Sequence, residues 1–103
     1  MEIRRTERRP RILEVCLESE IDHLSAARLT KELRREIIRM RPEKLILDFK
    51  NVTMMDSSGI GLILGRYKQM KDNGGEVCVK NTSKQVDKVL TLSGLYQIVR
   101  KIK

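Results

Sequence analysis

The chain has no tryptophan, one histidine, two cysteines and two prolines, and its aromatic side chains are limited to Phe49, Tyr67 and Tyr96. Three scattered aromatic rings are poor material for a platform that stacks bases. One histidine and two distant cysteines, Cys16 and Cys78, supply no zinc-ligand spacing and no CxxC pair. Both cysteines lie in apolar, strand-like runs, so buried cytosolic thiols are expected rather than a disulfide. Long hydrophobic runs are also missing. The longest, Ile60 to Leu64, falls far short of the roughly 20 residues of a membrane helix. The opening MEIRRTERR has no apolar signal core, which points to a cytoplasmic protein.

Charge is abundant. The 103 residues carry 22 Lys+Arg against 14 Asp+Glu, a formal net charge of +8. The excess is spread along the chain, with one dense cluster at Arg4, Arg5, Arg8, Arg9 and Arg11. A solvated basic surface, attractive to an acidic protein partner, is expected in preference to a nucleic-acid groove. Isoleucine, leucine and valine recur throughout, which excludes a disordered chain. The length fits one domain over residues 1–103, without repeat or linker.

Periodicity gives a coarse order of elements. Residues 2–8 form a short edge strand, and Arg9-Pro10 a turn. Leu13, Val15 and Leu17 alternate, as in a strand over Ile12–Glu18. Ser19 to Leu24 reads as a loop, with Ser25 capping a helix that runs to about Met40. Ala26, Leu29, Leu33, Ile37 and Met40 form its apolar stripe. Leu45 to Phe49 is nearly continuous apolar sequence, expected in a central strand covered on both faces. Asn51 to Asp56 reads as a loop before a second helix from about Ser57 to Lys71, closed by Asp72-Asn73-Gly74-Gly75. A strand over Glu76–Lys80 follows. Thr82 or Ser83 caps a third helix, Ser93-Gly94 stops it, and Gln97 to Ile102 forms a short final strand or packed tail. Strands alternating with helices predict an α/β fold with a mixed, mostly parallel sheet and right-handed crossovers.

Sites in such sheets lie beyond the carboxyl ends of the strands. Two loops leave those ends, and if the two strands are neighbours they bring Asp22, His23, Asp56, Ser57 and Ser58 together. In Met55-Asp56-Ser57-Ser58-Gly59-Ile60-Gly61, Asp56 or Ser57 can cap the first amides of a helix. Gly59 and Gly61 leave its first turn open to close approach. A phosphate on Ser57 would meet the positive end of that helix. A plain helix cap followed by small residues accounts for the same pattern. The hydrolase elbow G-x-S-x-G and the phosphate loop G-x-x-x-x-G-K-[ST] are both absent. A Ser57–His23–Asp triad has only one histidine to draw on, and Asp22 with Asp56 are too few acids for a dedicated cation site.

The segment LDFKNVTMMDSSGIGLILGRYKQMK, Leu47 to Lys71, strongly resembles the bacterial anti-sigma-factor antagonists of the STAS domain family, sporulation-type members above all. The likeness continues through Gly74-Gly75-Glu76-Val77 and Leu92-Ser93-Gly94-Leu95. It is looser at Glu20-Ile21-Asp22-His23, where Ser19 stands in place of the family's usual glycine. The chain reaches Lys103 soon after the third helix, where family members often carry another helix.

The resemblance implies a partner switch without enzymatic activity or a cofactor of its own. The unmodified protein would bind an anti-sigma factor that is also a serine kinase, freeing the sigma factor. Phosphorylation on Ser57 would switch it off, with ATP and Mg²⁺ belonging to the kinase. A serine phosphatase of the PPM type would reverse the modification. Partner contacts are expected at Ile21, Asp22, His23, Asp56, Ser58, Gly59, Ile60, Gly61 and Leu64. Asp22 is expected to serve recognition rather than stability. The competing readings are a STAS scaffold of a stressosome-like complex, a basic nucleotide- or nucleic-acid-binding domain, and a small hydrolase.

Overall fold

A computed structural model describes residues 1–103. The elements run β1 (Glu2–Thr6), β2 (Ile12–Ile21), α1 (His23–Met40), β3 (Lys44–Met55), α2 (Ser58–Asp72), β4 (Glu76–Lys80), α3 (Lys84–Leu92), a 3₁₀ turn (Leu95–Gln97) and β5 (Arg100–Ile102). The five strands form one sheet in the order β1-β2-β3-β4-β5. β1 pairs antiparallel with β2 across the Pro10 turn, and every later pairing is parallel. This is the mixed, mostly parallel α/β sheet that the alternation of elements predicts.

Each crossover steps one strand in the same direction. Right-handed connections of that kind place all three helices on one face. The core confirms it: Leu13, Val15 and Leu17 of β2, Leu45, Leu47 and Phe49 of β3, and Val77 and Val79 of β4 join Ala26, Leu29, Leu33 and Ile37 of α1. Val86 and Leu90 of α3 belong to the same cluster.

The opposite face carries no helix, which corrects the expectation that β3 is covered on both sides. Its rows are Arg4–Glu14–Ile46–Cys78–Arg100 and Glu2–Cys16–Asp48–Lys80–Ile102, read across the sheet. Charged side chains shield it. Lys80 pairs with Glu14 at 2.7 Å, Arg4 lies 3.7 Å from the same carboxylate, and Arg100 pairs with Glu76 at 3.0 Å. Beneath them Asp48 is buried and accepts hydrogen bonds from the Lys50 amide and the Asn81 side chain, both at 3.0 Å. Both cysteines are buried on this face as free thiols.

Two boundaries differ from the sequence reading, and both matter for the site. β2 continues to Ile21 and β3 to Met55, so the expected loops are largely strand. The extended pairing is irregular, with register shifts after Cys16 and after Ser19. Polar residues at Glu18, Ser19, Glu20, Asn51 and Thr53 break the apolar pattern there, although the backbone ladder runs on.

Candidate functional site

The parallel ladder of β2 and β3 ends with Ile21 opposite Met55. One more bond, from the Asp56 amide to the Ile21 carbonyl at 3.0 Å, ties the two strand ends together. Asp22 and Asp56 are therefore equivalent positions, each one residue beyond its strand and just before a helix. β4 stops at Lys80, opposite Asp48, so the last residues of β3 have no strand on that side. The Gln85 side chain of α3 takes its place. Its amide nitrogen donates to the Met55 carbonyl at 2.8 Å, and its oxygen accepts from the Met55 amide at 3.0 Å. No sequence pattern marks Gln85 for this task.

The two helix starts are built differently. Asp22 is the N-cap of α1: its carboxylate accepts from the Ser25 amide at 2.9 Å, and the Ser25 hydroxyl accepts from the Asp22 amide at 2.9 Å. This capping box satisfies both ends of the first turn. Ser25 is thus the third residue of the helix, not its cap, and Asp22 has a stabilising role that the sequence reading did not assign to it. The hydrogen bonds from Ser25 hold the Asp22 carboxyl below the usual aspartate range.

At α2 the N-cap is Ser57, in helical rather than extended conformation (φ −62, ψ −17), and its side chain makes no capping bond. The neighbouring Asp56 does that work, accepting from the Ser58 amide at 2.7 Å. The next two amides, of Gly59 and Ile60, bond to the Asp56 and Ser57 carbonyls at 3.0 and 3.1 Å. The first turn therefore keeps no free amide among Ser58, Gly59 and Ile60. A phosphate on Ser57 would meet the helix dipole and the Ser57 amide, with the next three amides already engaged. The Ser57 side chain is exposed, as are Asp56 and His23.

The remaining candidate residues separate by burial. Ser58, Ile60 and Leu64 are half-buried, and the latter two pack against the core; Gly61 is exposed with open space around it. The Ile21 side chain is 1% exposed and faces the core. Gly59 is buried, and a Cβ there would run into the Met55 side chain. Its small size serves the packing of α2 on β3, while Gly61 keeps the outer surface flat. Two apolar residues at this end escape a reading by periodicity. Leu24 is 79% exposed and Met54 52% exposed. Leu24 falls off the buried stripe of α1, and Met54 alternates with the inward Met55; those offsets were the available signals.

The same end is acidic. Glu18, Ser19, Glu20, Asp22, Arg28 and Glu32 help to line a groove of about 420 Å³ beside the start of α1. No group of three or more metal-ligating side chains occurs, and no helix is long and apolar enough to cross a membrane.

The STAS domain family model matches residues 4–103. An anti-sigma F factor antagonist of Paenibacillus polymyxa is 39% identical over 88 residues, covering 85% of this chain and 75% of that protein. An anti-sigma-B factor antagonist of Bacillus subtilis is 29% identical, covering 84% of this chain and 78% of its own length. Among solved structures, the unphosphorylated form of the anti-sigma factor antagonist SpoIIAA superposes with a TM-score of 0.82 at 25% identity, covering 99% of this chain and 89% of that one.

Proposed function

Because the chain belongs to the STAS domain family, we propose that it is an anti-sigma-factor antagonist controlled by phosphorylation of Ser57. The unmodified form binds an anti-sigma factor with serine kinase activity and releases the sigma factor. Phosphorylation breaks that complex, and a PPM-type serine phosphatase restores it. The supporting observation is the Ser57 hydroxyl: it is exposed, it begins a helix, and unlike the caps of α1 and α3 it closes no hydrogen bond. Asp22, His23, Asp56, Ser58, Ile60 and Gly61 are proposed to surround it in the interface, with Leu64 at its edge and Leu24 and Met54 as apolar contacts. Ile21 and Gly59 shape this surface from within.

The physics of the switch needs no large conformational change. Phosphate adds about −1.5 to −2 charges and three acceptor oxygens. It does so beside Asp56 and Asp22, where the amides of Ser58, Gly59 and Ile60 are already satisfied. The modification therefore acts outward, against the partner, through bulk, repulsion and desolvation. A penalty of about 3 kcal/mol weakens the complex on the order of a hundredfold.

The test is intact-mass analysis after incubation with an anti-sigma serine kinase and ATP, followed by site mapping. One phosphate on Ser57, absent in Ser57→Ala while that variant still binds the kinase, is the expected result. Normal phosphorylation of Ser57→Ala would refute the assignment. Kinase binding without phosphorylation of the unaltered protein would favour a STAS scaffold.

A further inference from the structure

Most of the N-terminal arginine cluster is engaged by carboxylates. Arg4, Arg5, Arg9 and Arg11 all lie within ion-pair distance of Glu14, Glu36 or Glu43. Arg8 of the cluster makes no ion pair, and other unpaired cations gather on α1. Along the outward face of α1, Thr30, Lys31, Arg34, Arg35 and Ile38 line a shallow groove of about 440 Å³. Lys31, Arg34 and Arg35 take part in none of the ten ion pairs. Ile38 is 64% exposed at the end of this stripe.

Behind the groove lies Arg66 of α2, only 7% exposed. One of its terminal nitrogens donates to the Thr30 carbonyl at 3.3 Å, while its Nε is buried without any partner. No carboxylate pairs with it. Burial, and then the charge of Arg34, hold its pKa below the usual arginine value. A buried guanidinium without an anion is unfavourable, and an apolar side chain of similar length would relieve the strain.

We propose that this outward face of α1, backed by Arg66, is a second docking surface, separate from the Ser57 end, whose occupant is an acidic helical segment of a partner protein. Residues 31, 34, 35 and 38 have the three- and four-residue spacing of one helix face. A partner helix with carboxylates at the same spacing and one apolar side chain against Ile38 complements them. The charge of Arg66 behind the groove adds to its attraction for carboxylates. An anionic membrane fits less well. The broad apolar face of α1 is used in the core through Ala26, Leu29, Leu33 and Ile37, which leaves Ile38 too narrow an anchor. Nothing aromatic lies on the stripe to stack bases.

The experiment uses the full chain and a fluorescent synthetic helical peptide with glutamates at three- and four-residue spacing and a single leucine. Fluorescence anisotropy is read at low and physiological salt. The expected result is binding that falls at least about tenfold in Arg34→Glu/Arg35→Glu but persists in Lys84→Glu/Lys88→Glu, which changes net charge equally on exposed positions of α3. Arg66→Met is expected to weaken the peptide yet raise the melting temperature, a pairing that a purely structural arginine would not show. Equal loss in both double variants, no binding by the unaltered chain, or binding to phosphatidylserine vesicles that the peptide does not displace would each overturn the proposal. Phosphorylation of Ser57 is expected to proceed unchanged in Arg34→Glu/Arg35→Glu. Its selective loss would merge this face with the kinase interface and end the claim of a separate surface. Failure of phosphorylation in every version would count against the Ser57 reading alone.

Discussion

The three helices begin in three ways, and the contrast lies in a single torsion. Ser83 and Ser57 are both serine N-caps. Ser83 is extended (φ −75, ψ 170), so its hydroxyl turns back to accept from the Val86 amide at 3.2 Å. Ser57 is already helical, its hydroxyl caps no amide, and Asp56 takes over one of them. Asp22 goes further than either and closes a reciprocal box with Ser25. A serine that caps is held by its own helix. A serine relieved of that duty by its neighbour leaves its hydroxyl unengaged. The same residue type at the same helix position can therefore close its helix or leave its hydroxyl free.

The strongest way to break this contrast is to place charge on the free hydroxyl's position. Ser57→Asp is expected to weaken kinase binding about a hundredfold, or roughly 3 kcal/mol, with an unchanged melting temperature. An equivalent loss from Ser83→Asp would show that the effect is not local to the open helix start. Next in size is the support beneath Ser57. Gln85→Ala strands the Met55 amide and carbonyl, which should cost about 1–3 kcal/mol of stability by chemical denaturation. If stability holds, water replaces the side chain and Gln85 does not brace the end of β3.

The capping box is tested with two substitutions that separate charge from hydrogen bonding. Asp22→Ala removes both the box and the charge, so it should lower the melting temperature and also weaken the partner. Asp22→Asn keeps an acceptor and should spare most stability. The pH dependence follows from the depressed carboxyl of Asp22. Its stabilisation is complete above the ordinary aspartate value of about 3.9 and is lost as pH falls through the lower folded value. That acid-side loss should be absent from thermal melts of Asp22→Asn. Smaller again is the direct comparison of the two serines. Ser83→Ala should cost about 1 kcal/mol, and Ser57→Ala only a small fraction of that.

Much of this was legible in the sequence. The alternation at Leu13, Val15 and Leu17 and the stripe through Ala26, Leu29, Leu33 and Ile37 fix the helix-facing side of the sheet. Strand alternation with helices gives the parallel order. The site could be located because Asp22 and Asp56 follow adjacent parallel strands. What was not legible depends on contacts distant in sequence. The apolar run Leu45 to Phe49 suggested burial on both faces, but Ile46 is shielded on one side by charged neighbours from the other four strands. The strand ends leading to Ile21 and Met55 are interrupted by polar residues in sequence and are held by the ladder and by Gln85. Ser25 looked like a cap because it precedes the apolar stripe, but a capping box places its serine inside the helix.

The smallest expected effect concerns Ser19, which adopts φ 56 between the two register shifts of β2. A left-handed conformation costs an L-residue about 1–2 kcal/mol, and glycine avoids that cost. Glycine also loses more freedom on folding, by roughly 0.5–1 kcal/mol. Ser19→Gly should therefore stabilise the protein by about 0.5 kcal/mol, visible as a modest rise in melting temperature. The irregularity at Ser19 lies just ahead of Asp22, so the substitution also asks whether backbone strain there helps to set the capping box. If Ser19→Gly raises stability and leaves Ser57 phosphorylation unchanged, the irregularity is only a bend in β2. If stability rises while phosphorylation slows, the strained residue holds the start of α1 in register with the start of α2, and the two helix ends work as one surface.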